Sequence, residues 1–98
     1  MGRIIWACRA ADQLEALVEF IAKGSPREAR RFADRVLHRI AGLGTHPELG
    51  GWVIEDETRT YRELLLGNYR IIYRAGPEAV YIVAVRHGAR LWDVEDVS

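Results

Sequence analysis

Tyr61-Arg62-Glu63-Leu64-Leu65-Leu66-Gly67-Asn68-Tyr69-Arg70-Ile71-Ile72-Tyr73-Arg74 decides the fold, because it reads as two strands on either side of a Gly-Asn turn. If Gly67-Asn68 is a two-residue hairpin loop, Leu66 lies opposite Tyr69, Leu64 opposite Ile71 and Arg62 opposite Tyr73. Side chains alternate across a strand, so Leu64, Leu66, Tyr69, Ile71 and Tyr73 share one face, and Tyr61, Glu63, Leu65, Arg70, Ile72 and Arg74 share the other. The first set is apolar enough to lie under another layer. The second brings a glutamate and two arginines together.

C-terminal to this hairpin, Val80 to Arg86 is a third run rich in β-branched residues, reached through the turn around Gly76-Pro77. A four-residue loop from Ala75 to Glu78 sets Arg74 opposite Ala79 and places Val83, Val85 and His87 on the Arg70 face. A slip of one residue reverses that assignment. N-terminal to the hairpin, Trp52-Val53-Ile54 reads as a short strand after Gly50-Gly51.

The first half of the chain has helical periodicity. Leu14, Leu17, Val18 and Ile21 fall on one face of a helix from Ala10 to Lys23 that Gly24 stops. Ser25-Pro26-Arg27-Glu28 then supplies a serine N-cap, a proline at the first helical position and a glutamate placed to close a capping box. Ala29, Phe32, Ala33, Val36, Leu37 and Ile40 keep helical spacing until Gly42, Gly44 and Pro47. Ahead of both helices, Arg3 to Cys8 reads as a strand, with Cys8 a small buried hydrophobe. The expected architecture is α+β in a single domain spanning 1–98: an N-terminal strand, an antiparallel helical hairpin, then an antiparallel β-meander with the helices packed on one face.

Composition narrows the function. The 98 residues carry 14 basic and 14 acidic side chains, and the zero net charge argues against a broad electrostatic footprint on nucleic acid. Lys23 is the only lysine, so the other cations are arginines, suited to bidentate recognition of carboxylate and phosphate. One cysteine excludes an internal disulfide, and His38, His46 and His87 are not spaced as metal ligands, so neither metal nor cofactor is expected. The apolar runs fall short of the roughly 20 residues that span a bilayer, and the N-terminus is too brief for a signal peptide, so a cytoplasmic protein is expected.

Two arginine sets stand out. Glu63, Arg70, Arg74 and His87 on one sheet face hold the parts of metal-free RNA cleavage: a base, an acid and cations for the phosphate charge. The same Glu63 with Arg70 or Arg74 is also an ordinary cross-strand ion pair. Arg27, Arg31, Arg35 and Arg39 form a stripe along the second helix, either a solvated face paired with Asp34 and nearby acids or a docking surface for an acidic partner segment.

Arg62-Glu63-Leu64, Asn68 through Arg74, and Val83-Ala84-Val85-Arg86-His87-Gly88-Ala89-Arg90, in this order of elements, resemble the RelE/ParE family of bacterial toxins over nearly the whole chain. Trp6 followed by a helix, the Ser25-Pro26 restart and the Pro47 to Gly51 turn also sit where that family has similar features. The resemblance implies a growth-inhibiting toxin of a type II toxin–antitoxin system, as in plasmid stabilisation, silenced by a cognate antitoxin whose extended segment covers its helices or sheet edge. The His-Gly-Ala-Arg segment, the lack of strand lysines and the acidic C-terminus from Trp92 to Ser98 are closer to ParE, whose members poison DNA gyrase. On that reading Arg62, Arg70, Arg74, Arg86, Arg90 and Trp92 meet the target, and Arg27, Arg31 and Arg35 meet the antitoxin. The alternative is a RelE- or YoeB-like endonuclease acting on ribosome-bound mRNA, with Arg70 on phosphate, His87 as acid and Glu63 or Glu55 as base.

Overall fold

In the computed structural model, which describes residues 2–88 and Trp92, the Gly67-Asn68 hairpin has the expected register. β3 (Arg62–Leu66) pairs antiparallel with β4 (Tyr69–Ala75), Leu66 opposite Tyr69, Leu64 opposite Ile71 and Arg62 opposite Tyr73. Positive φ at Gly67, 59°, and not at Asn68 is the pattern of a type II′ turn, which matches the twist of the flanking strands.

Around this hairpin the chain adds β1 (Arg3–Trp6), α1 (Cys8–Gly24), α2 (Pro26–Ala41), β2 (Gly51–Trp52) and β5 (Ala79–His87). The sheet order is β1-β5-β4-β3-β2. From β2 to β5 it is the expected antiparallel meander, but β1 runs parallel to β5, Arg3 opposite Ala79 and Trp6 opposite Ile82, so the sheet is mixed. The helical hairpin carries the chain from β1 at one edge of the sheet to β2 at the other, and the meander then returns to set β5 beside β1.

Ser25 Oγ accepts from the Glu28 amide at 3.2 Å and so caps α2 as its sequence announces. The reciprocal half of the capping box does not form. Ser25 N–H is already taken by the Ile21 carbonyl at the end of α1, and the Glu28 carboxylate turns to Arg31 at 3.2 Å. The two helices follow each other so closely that one residue ends the first and caps the second.

The apolar stripes pack as their periodicity requires. Phe32, Val36 and Ile40 from α2 meet Leu64, Leu66, Ile71, Tyr73, Val80, Ile82 and Val85 from the sheet, with Leu14, Leu17, Val18 and Ile21 of α1 at the margin. Leu37 departs from the stripe and is half exposed. Cys8 is an exposed residue opening α1 rather than a buried strand residue, because β1 ends at Trp6. β2 is shorter than expected, and Ile54 beyond it is exposed.

The last hairpin departs most from its expected register. Arg74 pairs with Tyr81 and Ala75 with Val80, two residues from the expected alignment, so the faces near the turn stay as assigned. A bulge then falls between Ile72 and Tyr73, with Ile72 opposite Ala84 and Tyr73 opposite Ile82. One extra residue on β5 inverts every face beyond it. Val83 remains on the Arg70 side, but Val85 and His87 move to the helix side.

Candidate functional site

The sheet face opposite the helices is not open. Val53, Ile72, Val83, Ala84 and Trp92 form a second buried cluster there, with Tyr61 and Tyr81 beside it. Trp92, 3% exposed, meets the Tyr61 ring edge-on at 4.9 Å between centroids. Trp92 was expected to touch a target. Instead its indole is core, because the second sheet face needs cover of its own.

Arg70 lies at the centre of this layer, 6% exposed. Its Nη1 and Nη2 each donate to Glu55 at 2.7 Å in a bidentate fork, and its Nε donates to Glu63 Oε1 at 2.5 Å. Glu55 Oε2 also accepts from the Trp92 amide at 3.0 Å. The Arg70 hydrogen bonds dominate the field at Glu55 and, against its burial, bring that carboxyl down to about 2. In return the Arg70 guanidinium is held more firmly protonated, by Glu55 first and Glu63 after it. Such a cation surrounded by carboxylates has little left to offer a phosphate.

The catalytic trio read from the sequence is therefore divided. Glu63 and Arg70 meet as an ion pair, and Glu55, the alternative base, joins them. His87 stands opposite Tyr69 on the other face, its ring 5.6 Å from the tyrosine's and perpendicular to it. The bulge at Val83 is the reason. The sequence does carry one signal of the true arrangement, since a strand arginine that must be buried needs more than one carboxylate, and Glu55 lies in the preceding loop.

Of the other arginines expected at a target, Arg86 is opposite Arg70 and half buried, and Arg90 lies outside the described residues. Arg62 and Arg74 sit near the far end of the sheet. The Arg62 guanidinium lies 3.8 Å from the centre of the Trp52 ring and donates through Nη1 to the Gly50 carbonyl at 2.8 Å, and Arg74 lies over Tyr81 at 4.4 Å. On α2, Arg27, Arg31 and Arg35 are all exposed, with Arg31 in a surface pair with Glu28. Arg39, the last of the stripe, reaches the Leu65 carbonyl at 3.3 Å.

One residue that the sequence did not single out organises the loop between β2 and β3. Asp56 is buried, and its carboxylate accepts from Thr58 Oγ1 and N at 2.5 and 3.1 Å and from the Thr60 and Tyr61 amides at 2.9 and 3.0 Å. These bonds, the Thr58 hydroxyl foremost, hold its carboxyl below the ordinary range. Among the described residues no helix is long and apolar enough to cross a membrane.

A family model described as "ParE toxin of type II toxin-antitoxin system, parDE" matches residues 4–92. The chain belongs to this ParE toxin family. Among relatives of this ParE-family chain, Toxin RelE2 of Caulobacter vibrioides is 36% identical over 92 residues, which covers 93% of this chain and 100% of the relative. Toxin RelE3 of the same organism is 30% identical over 79 residues, covering 81% and 86%. A solved structure described as "Chromosomal ParDE TA system from P. aeruginosa" superposes with a TM-score of 0.72 over 89% of this chain and 96% of the other, at 18% identity, a likeness of fold. The ParE-family chain is thus a type II toxin of RelE/ParE architecture.

Proposed function

We propose that this toxin inhibits growth by binding a macromolecular target in the cytoplasm, with DNA gyrase as that target, and that a cognate antitoxin silences it. The observation that carries the reading is the occupied state of Arg70. A metal-independent RNase needs that guanidinium to face a scissile phosphate and needs an acid across from it. Here two carboxylates hold the arginine and His87 is on the opposite face. The match to the ParE family model supports the same choice.

On this reading the buried ion-pair cluster is a structural support for the loop and Trp92 and has no chemistry of its own. The exposed Arg27, Arg31 and Arg35 stripe serves the antitoxin, presenting three guanidiniums at one-turn intervals to an acidic segment. Phe20 of α1 and Leu37 of α2, 70% and 50% exposed, add apolar surface to the same helical hairpin.

The test is a supercoiling assay with purified gyrase and the purified toxin, run beside a ribosome-programmed mRNA cleavage assay. Loss of supercoiling with trapped, cleaved DNA and intact mRNA is expected. Cut mRNA with normal gyrase activity overturns the proposal and makes Arg70 and His87 the first residues to substitute.

A further inference from the structure

Arg59 is the only non-glycine residue with positive φ among the described residues, at 55°. An L side chain in this region is disfavoured by contact between Cβ and the backbone, and glycine or asparagine is the usual occupant. The surroundings over-determine the conformation. The buried Asp56 carboxylate collects amides on both sides of the position, from Thr58, Thr60 and Tyr61, and Arg59 N–H itself reaches the Asp56 carbonyl at 3.4 Å. A rigid loop therefore presents an exposed arginine where local sterics favour glycine, which points to a use for the side chain.

What Arg59 lines is an open cleft of about 440 Å³ bounded by Trp52, Thr60, Arg62, Arg74 and Glu48 as well. Three guanidiniums face one carboxylate there. Unlike Arg70, neither Arg59 nor Arg74 has a carboxylate or carbonyl bonded to its side chain among the described residues. Two of the three are pre-set by stacking, Arg62 on Trp52 and Arg74 on Tyr81, so less side-chain freedom is lost when an anion arrives. Trp52, 42% exposed, leaves indole surface beside the cations. Guanidiniums that track a phosphate next to an aromatic ring that can take a base are the parts of a single-stranded nucleic acid groove. An acidic peptide would use the cations and leave the indole idle.

We infer that the cleft formed by Arg59, Arg62, Arg74 and Trp52 binds the sugar-phosphate strand of a nucleic acid, one phosphate among the guanidiniums and a base against Trp52. Binding at this cleft is independent of which enzyme the toxin attacks. The neutral total charge does not oppose this, because three of the 14 basic residues meet at one cleft.

The experiment is fluorescence anisotropy of the full chain with a labelled single-stranded 12-nucleotide DNA at low and at near-physiological salt. Salt-sensitive binding is expected, weakened about tenfold or more in the double variant Arg59→Gly/Arg74→Gln and unchanged in Arg31→Ala on the helical stripe. Arg59→Gly removes the charge while relieving the backbone, so its thermal midpoint should hold or rise while its affinity falls, which separates loss of the ligand from loss of the fold. Trp52→Leu tests the stacking arm and should lose affinity as well. Three results overturn the inference: no binding by the parent chain, equal binding by the double variant, or displacement of the oligonucleotide by polyglutamate at equal charge. Gyrase inhibition that persists in the double variant leaves the reading of the target standing by itself.

Discussion

At the scale of single residues, Arg70, Asp56 and Tyr73 are each buried with several polar partners. Tyr73 is fully buried, yet its hydroxyl accepts from the Gly50 amide at 2.8 Å and donates to the Pro47 carbonyl at 2.7 Å, tying the loop after α2 to the middle of the sheet. Burial raises its ionisation above the usual phenol range. Tyr73→Phe leaves both loop groups without a partner and should cost about 1–3 kcal/mol, read from urea denaturation. Gly50 is as constrained, since a Cβ there would lie 2.5 Å from the Glu63 carbonyl oxygen, so Gly50→Ala should destabilise through a backbone shift that no rotamer change can avoid. Glu55 gives a pH signature. Its folded value of about 2 lies below the unfolded value of 4.5, so its contribution is present in full above about pH 4.5 and is lost as pH falls toward 2. Glu55→Gln should flatten that part of the stability profile. At neutral pH it should cost about 2 kcal/mol, less than the ~3–5 typical when a buried pair is broken outright, because Glu63 still faces Arg70.

At the scale of elements, the bulge in β5 matters most. It lets Val83 and Ala84 both cover the second apolar cluster while returning Val85 to the helix side, so one strand serves two cores. Its consequence is the separation of His87 from Arg70. Hydrogen exchange should find the slowest amides in β5, which is flanked by β1 and β4, and faster exchange in the two-residue edge strand β2. The junction of α1 and α2 rests on Ser25, and Ser25→Ala should cost about 1 kcal/mol by removing the acceptor for the Glu28 amide. Thermal denaturation measures it.

At the scale of the whole molecule, the sheet is covered on both faces by unequal layers: two long helices on one, and on the other a loop pinned by Asp56 with Trp92 beside it. Substituting a residue on the helix side therefore leaves the Arg70 layer intact. His87→Gln should leave growth inhibition by the stably folded toxin unchanged, and a loss of toxicity would restore the case for acid catalysis. Reversing Arg27, Arg31 and Arg35 to glutamate should weaken antitoxin capture with little change in stability, because all three are exposed.

The helices, the Gly67-Asn68 hairpin and the two faces of β3 and β4 were legible in the sequence, because each depends on local signals: helical spacing, the Ser25-Pro26 cap and a two-residue turn that leaves little choice of register. Arg70 was legible as the central cation, and Glu63 as its neighbour. What the sequence could not show depends on distant parts of the chain. The bulge at Val83 arises because β5 must fill two cores at once, and no single-strand periodicity encodes that demand. The burial of Trp92 and the Glu55 fork on Arg70 follow from a loop folding over the second sheet face, as does the left-handed Arg59 held by Asp56. Local sequence determines which elements form and which residues alternate on them. Tertiary packing determines which charges are neutralised and which remain available, because a guanidinium's role depends on the carboxylates that the fold brings to it.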